Sequence, residues 1–95
     1  MTQLSFRREA SDDLRRIAAD TRLAWSEEQA KRYVAALRDD IKSLLQFSLR
    51  YPEIESRPGL HRMNSGKHAV IYCVHGDRVD IIRVLHVASD IGRLI

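Results

Sequence analysis

Residues 2–6, Thr-Gln-Leu-Ser-Phe, alternate polar and apolar side chains, which is the period of a short half-buried strand. From about Arg8 the period lengthens to that of a helix. Leu14, Ile17, Ala18, Thr21 and Trp25 recur at three- and four-residue steps, with Asp12, Asp13, Arg15, Arg16 and Asp20 on the other side. Ser26-Glu27-Glu28-Gln29 has the form of a capping box, in which the serine oxygen accepts from the N3 amide and Gln29 reaches back. Ala30, Tyr33, Val34, Leu37, Ile41, Leu44 and Leu45 then form the stripe of a second helix of about twenty residues. With almost no loop between them, the two helices are expected to form an antiparallel hairpin.

Tyr51-Pro52 ends the second helix, and Glu53 to Gly59 is predicted as a loop. Three strands follow, at about Leu60–Asn64, His68–His75 and Arg78–Leu85, with turn signals at Ser65-Gly66 and Gly76-Asp77. Residues Ser89–Ile95 are either one helical turn or a loose tail. The order β-α-α-β-β-β predicts one α+β domain over residues 1–95, an antiparallel sheet with an N-terminal helical hairpin packed on it.

If His75 and Arg78 pair across the last turn, a straight hairpin puts His68, Val70, Tyr72, Val74, Val79, Ile81, Arg83 and Leu85 on one face. The other face then carries Ala69, Ile71, Cys73, His75, Arg78, Asp80, Ile82, Val84 and His86. Both faces are substantially apolar and the helical hairpin covers one. The second is therefore expected to meet either a partner or the C-terminal tail.

Composition narrows the picture. The 95 residues are 44% hydrophobic and 31% charged, a globular balance with room for one core. No apolar run reaches the length of a membrane span, and Met1 to Arg8 lack the apolar core of a secretory leader, so an intracellular, cytoplasmic protein is expected. The single cysteine, Cys73, excludes an internal disulfide framework and a thiolate-rich zinc site. The net charge is +3, and all four histidines (His61, His68, His75, His86) lie in the second half. That half could face an anionic partner, although so small an excess also describes an ordinary solvated surface. No Gly-rich phosphate loop and no cluster with metal-ligand spacing is evident, so neither cofactor nor metal is expected.

Val79-Asp80-Ile81-Ile82-Arg83-Val84-Leu85-His86 resembles the C-terminal strand of the ParE branch of the ParE/RelE toxin superfamily, and further segments match in order. Arg57-Pro58-Gly59-Leu60-His61-Arg62 is similar to the Arg-x-Gly-Tyr-Arg-Arg/Lys segment that opens its sheet, with Leu60 and His61 in place of Tyr and Arg. Ser65-Gly66-Lys67-His68-Ala69-Val70-Ile71-Tyr72 is similar to its Ser-Gly-Ser-His-x-x-x-Tyr segment, followed here by Cys73 where Arg is frequent. Trp25 and Glu28-Gln29-Ala30 match its helical front half. Beyond His86 the chain reads Val87-Ala88-Ser89-Asp90 where the family usually has Gln-Arg-Met-Asp.

The resemblance implies the toxin of a type II toxin–antitoxin system that poisons DNA gyrase by protein contact, catalyses nothing itself, and is held in a heteromeric complex by a cognate antitoxin. It implies no membrane and no small-molecule substrate. Arg62, His68, Tyr72, Arg83, His86 and Arg93 are the candidate partner-binding residues. An antitoxin segment would lie over the groove between hairpin and sheet, with its acidic residues meeting Arg62, Arg83 and Arg93.

Two alternatives remain. The RelE branch of the same fold consists of ribosome-dependent mRNA endonucleases, for which His86 would be the acid, His61 or Lys67 the base, and Arg62 and Arg83 the phosphate clamps. The altered segment after His86 also fits an inactive relative that only binds antitoxin. Locally, Arg83 pairs either with a nearby acid or with a partner, and His86 and His68 serve either strand-end hydrogen bonds and solvation or contacts. Tyr72 reads more readily as packing with its hydroxyl at the sheet edge, and Cys73 as a small core residue without a base beside it.

Overall fold

A computed structural model describes residues 3–95, so Thr2 of the expected first strand lies outside the described residues. The chain forms β1 (Gln3–Phe6), α1 (Arg8–Ala24), α2 (Glu27–Phe47), β2 (Glu53–Ile54), β3 (Arg57–Ser65), β4 (His68–His75), β5 (Arg78–His86) and a single-turn α3 (Ile91–Leu94). Ala10, Asp13, Leu14, Ile17 and Thr21 are the buried side of α1. In α2 the buried positions are Ala30, Leu37, Ile41 and Leu44, again at helical spacing. Between the helices, Ser26 Oγ accepts the Gln29 N–H at 3.1 Å, and Glu27 and Glu28 in the first turn complement the helix dipole. No helix among the described residues is long and apolar enough to cross a membrane.

The five strands form one sheet in the order β1-β5-β4-β3-β2. Two features differ from the sequence expectation. The expected loop Glu53–Gly59 is strand at both ends: Glu53–Ile54 is a two-residue edge strand on β3, and Arg57–Gly59 already belong to β3. The sheet is also mixed rather than antiparallel, because β1 runs parallel to β5, Gln3 opposite Arg78 and Phe6 opposite Ile81. A parallel pair needs a long connection, and here everything from α1 to β4 supplies it. A strand's own alternation is the same whichever way its neighbour runs, so the pattern of residues 3–6 carries no sign of direction.

The β4–β5 hairpin has the expected His75–Arg78 register at its turn, but a bulge interrupts it. Tyr72 pairs with Ile81 and Ile71 with Arg83, leaving Ile82 as the extra residue. Val79 and Ile81 keep their predicted face, and past the bulge the faces exchange. Val84 joins Tyr72, Val70 and Met63 in the core under the helices, together with Leu14, Ile17, Leu37, Ile41 and Leu44. Leu85 turns to the opposite face with Ala69, Ile71, Cys73 and Ile82, and Arg83 turns with it through its pairing with Ile71. The C-terminal tail covers that second face: Ile91 is 6% exposed there, and Ile54, Leu60, Val87 and Ile95 pack against the same cluster. The Arg57 guanidinium donates to the Ile95 carbonyl and ties the tail to β3. The second apolar face therefore does not call for a partner.

Candidate functional site

The β3–β4 turn gathers one cluster. Gly66 takes φ +57°, and a Cβ there would lie 2.9 Å from the Tyr33 ring and hydroxyl, so glycine lets the α2 tyrosine lie on the turn. Tyr33 Oη accepts the Lys67 N–H at 2.9 Å and stands 2.5 Å from His68 Nδ1. An edge-on aromatic series runs outward from there: Trp25 to Tyr33 at 5.5 Å, Tyr33 to His68 at 5.5 Å, and His68 to His86 at 5.7 Å. Lys67 Nζ lies over the Trp25 ring at 5.4 Å. Burial, and then the neighbouring His86, pull the His68 pKa below its ordinary value. A neutral His68 whose Nδ1 accepts the Tyr33 O–H satisfies both groups. The Ala88 N–H donates to His86 Nδ1 at 3.0 Å, leaving the rest of this exposed ring toward solvent.

Arg83 is held elsewhere, by a local acid. Its Nε donates to Asp13 Oδ2 at 2.7 Å and its Nη2 to Asp13 Oδ1 at 3.0 Å. The same carboxylate, 2% exposed, also accepts the Val84 N–H at 3.0 Å. β1 ends opposite Ile81, so the outer edge of β5 is bare beyond the bulge, and Asp13 of α1 occupies it. This fork joins α1 to β5 and leaves Arg83 only partly available to any partner.

Tyr72 has no surface to offer a partner. It is fully buried, its ring stacked on His61 at 5.1 Å and its hydroxyl donating to the Ser48 carbonyl at 2.7 Å. Burial, with Tyr51 beside it, pushes its pKa up to about 12. Arg62 is half-buried, its Nε donating to Asn64 Oδ1 at 2.9 Å, and with Tyr51, Ile54, Ser89 and Asp90 it lines an open depression between β2, β3 and the tail. Arg93 is exposed on α3.

The five residues of the nuclease alternative do not converge. His61 is opposite Tyr72 and His86 is opposite His68, four residues apart along β4, or about 13 Å by strand rise alone. Arg62 and Arg83 pair with Ile71 on its two sides, on the face away from the helices, and Lys67 is in the turn.

One convergence departs from the sequence reading, which found no metal-ligand spacing and no base beside Cys73. Cys73 Sγ stands 3.3 Å from His75 Nε2, and Asp80 Oδ2 stands 3.8 Å from the same nitrogen. Cys73 and Asp80 are directly opposed across the hairpin. The His75–Arg78 register already implies that opposition, two residues further from the turn, so the signal was in the sequence. Tyr33 was legible only as a member of the α2 stripe, and Asp13, expected on the polar side of α1, is instead 2% exposed because it turns to the bare edge of β5.

Comparison with known proteins places these clusters in context. Residues 4–91 match the family described as "ParE toxin of type II toxin-antitoxin system, parDE". Toxin ParE1 of Caulobacter vibrioides is 39% identical over 80 residues, covering 83% of this chain and 82% of that protein. Toxin ParE1 of Mycobacterium tuberculosis is 32% identical over 75 residues, covering 73% and 72%. Among solved structures, the chromosomal ParDE TA system from P. aeruginosa superposes with a TM-score of 0.82 at 22% identity, covering 92% of this chain and 97% of that one. The RelBE2 toxin–antitoxin complex from Mycobacterium tuberculosis gives a TM-score of 0.68 at 21% identity, covering 90% and 96%. With the helical hairpin, the mixed five-stranded sheet and a family match across nearly its whole length, the chain belongs to the ParE toxins of type II toxin–antitoxin systems.

Proposed function

We propose that this chain inhibits DNA gyrase in the cytoplasm by protein contact, without a reaction of its own, and that a cognate antitoxin neutralises it. Membership of the ParE toxin family over residues 4–91 carries the reading. The dispersal of His61, His86, Arg62, Arg83 and Lys67 over two faces and a turn supports contact rather than catalysis, since acid–base cleavage needs its groups within reach of one phosphate. The solved relatives from P. aeruginosa and M. tuberculosis are described as toxin–antitoxin assemblies, in line with an antitoxin partner here.

The space between hairpin and sheet is filled by core, so an antitoxin segment lies on the outer surfaces instead. Between α1 and α2 a groove of about 280 Å³ has Ala18, Ala30, Val34 and Ala35 as its apolar part, with Arg22, Lys31 and Arg38 outweighing the one acid, Glu27, along it. That lining suits an amphipathic helix with acidic flanks. Leu23, Phe47 and Leu49, at 88%, 48% and 75% exposure, extend the apolar surface at the two ends of the hairpin.

The test is a gyrase supercoiling and cleavage assay with purified chain, run over a panel of gyrases beside a ribosome-dependent mRNA cleavage assay. Linear plasmid accumulating with gyrase while mRNA stays intact is the expected result, and His86→Gln should alter it little. Cut mRNA with every gyrase unaffected would overturn the reading in favour of the nuclease, with His86→Gln then severe. Silence in both would make the chain an inactive antitoxin-binding relative.

A further inference from the structure

The Cys73, His75 and Asp80 side chains offer a thiol, an imidazole and a carboxylate whose nearest ligand atoms all lie within 4.8 Å of one another. Cys73 and Asp80 are cross-strand neighbours on β4 and β5, and His75 is two residues along the same face, so the ladder aims all three the same way. The two short side chains come from paired strands and have little freedom. Cys73 is 8% exposed and the Asp80 side chain 15%, whereas the His75 side chain, at 62%, leaves one side open to water.

Sγ and Oδ2 both approach Nε2, at 3.3 and 3.8 Å, and the second separation is beyond hydrogen-bond distance. The imidazole therefore does not tie down the carboxylate. Nor is the arrangement a relay from acid through imidazole to nucleophile, which would use the two ring nitrogens separately. A thiol, an imidazole nitrogen and a carboxylate oxygen gathered on one face are the donor set a cation takes.

Two of the three separations are close to those around a bound ion, and the third, Sγ to Oδ2, is within 4.8 Å. Bonds of about 2.0–2.3 Å to nitrogen, oxygen and sulfur around a tetrahedral ion put neighbouring ligand atoms roughly 3.3–3.7 Å apart. The Sγ–Nε2 separation of 3.3 Å is already at that value, and Nε2–Oδ2 at 3.8 Å needs only a small rotation of the exposed imidazole. Arg78 Nε donates to Asp80 Oδ1 at 2.9 Å, which leaves Oδ2 for the ion and fixes the carboxylate plane. Thiolate and carboxylate together balance a divalent charge.

We propose that Cys73, His75 and Asp80 form a three-ligand site for a divalent transition metal, Zn²⁺ by ligand type, with water in the fourth position. Bound there, the ion staples the turn end of the β4–β5 hairpin on the face away from the helices. The site does not depend on what the protein inhibits.

Co²⁺ titrated into the untagged full chain under a thiol-free reductant reads the site directly. One equivalent should give thiolate-to-metal charge-transfer absorption with the intense visible bands of tetrahedral cobalt, and one equivalent of Zn²⁺ should abolish both. Cys73→Ser should remove the charge-transfer band. The exposed position makes His75→Gln safe for folding, and it should weaken binding about tenfold or more. Absence of the charge-transfer band, only the weak bands of six-coordinate cobalt, or unchanged affinity in His75→Gln would each overturn the assignment.

Discussion

Asp13 is the acid on which the junction of α1 and β5 turns, and its removal tests that junction quantitatively. Asp13→Ala strips the buried Val84 N–H of its acceptor, which costs about 1–3 kcal/mol for an unsatisfied buried donor. It also releases the Arg83 fork. The Arg83 side chain is 23% exposed and can turn its head into water, so this loss is set at roughly 1–2 kcal/mol, below the 3–5 kcal/mol for a fully buried partner. The total, about 3 kcal/mol, corresponds to a fall in Tm of roughly 12–24 °C for a domain of this size. Arg83→Ala should cost about as much, ~3 kcal/mol, because it leaves Asp13, 2% exposed in the parent, with only the Val84 N–H close and Arg16 at 3.8 Å. The double variant should cost less than the sum, with a coupling of about 1–2 kcal/mol. Urea and thermal unfolding followed by circular dichroism measure all four proteins of the cycle. A cost below about 1 kcal/mol for Asp13→Ala, or single effects that add within ~0.5 kcal/mol, would refute the account of this edge.

Three further outcomes are expected. Gly66→Ala should destabilise the domain by about 1–3 kcal/mol in urea unfolding, because it combines a left-handed backbone with a contact to Tyr33. Tyr72→Phe should cost about 1 kcal/mol at neutral pH through the lost bond to Ser48. In the parent chain the folded state keeps a Tyr72 proton that the unfolded state releases from pH 10, so stability should fall between about pH 10 and about 12, and Tyr72→Phe should flatten that fall. For His68 the folded state binds its proton less tightly than the unfolded one. Its contribution is complete above about pH 6.5 and is lost as pH drops toward the lower folded value, so His68→Gln should reduce the slope of stability against pH in that acidic range.

The helices could be placed from sequence because their signals are local. Ser26 followed by Gln29 marks a start, and Leu37, Ile41 and Leu44 repeat at the spacing of one helical face. The His75–Arg78 register was equally local, fixed by a two-residue turn. What escaped was non-local. Nothing in Gln3–Phe6 specifies a parallel neighbour 75 positions on, and nothing in Glu53–Ile54 marks so brief an edge strand. Ile82 has the same character as Ile81, so an apolar run hides a bulge that decides on which side Arg83, Val84 and Leu85 end. Among the site residues, Arg83 could be read from sequence as either locally paired or free. Only the docking of α1 on that bulge chose Asp13 for it.

The pairing of the first strand with the last also sets a schedule for the chain as it is made. The helical hairpin is complete once Phe47 has been added, whereas β5, which both β1 and Asp13 require, ends at His86. At ordinary synthesis rates of about 5–20 residues per second, the roughly forty intervening residues leave Leu37, Ile41 and Leu44 without their sheet for about 2–8 s. For that interval the nascent polypeptide presents an apolar amphipathic hairpin to whatever surrounds the ribosome. Only the arrival of β5 withdraws that surface from the solvent.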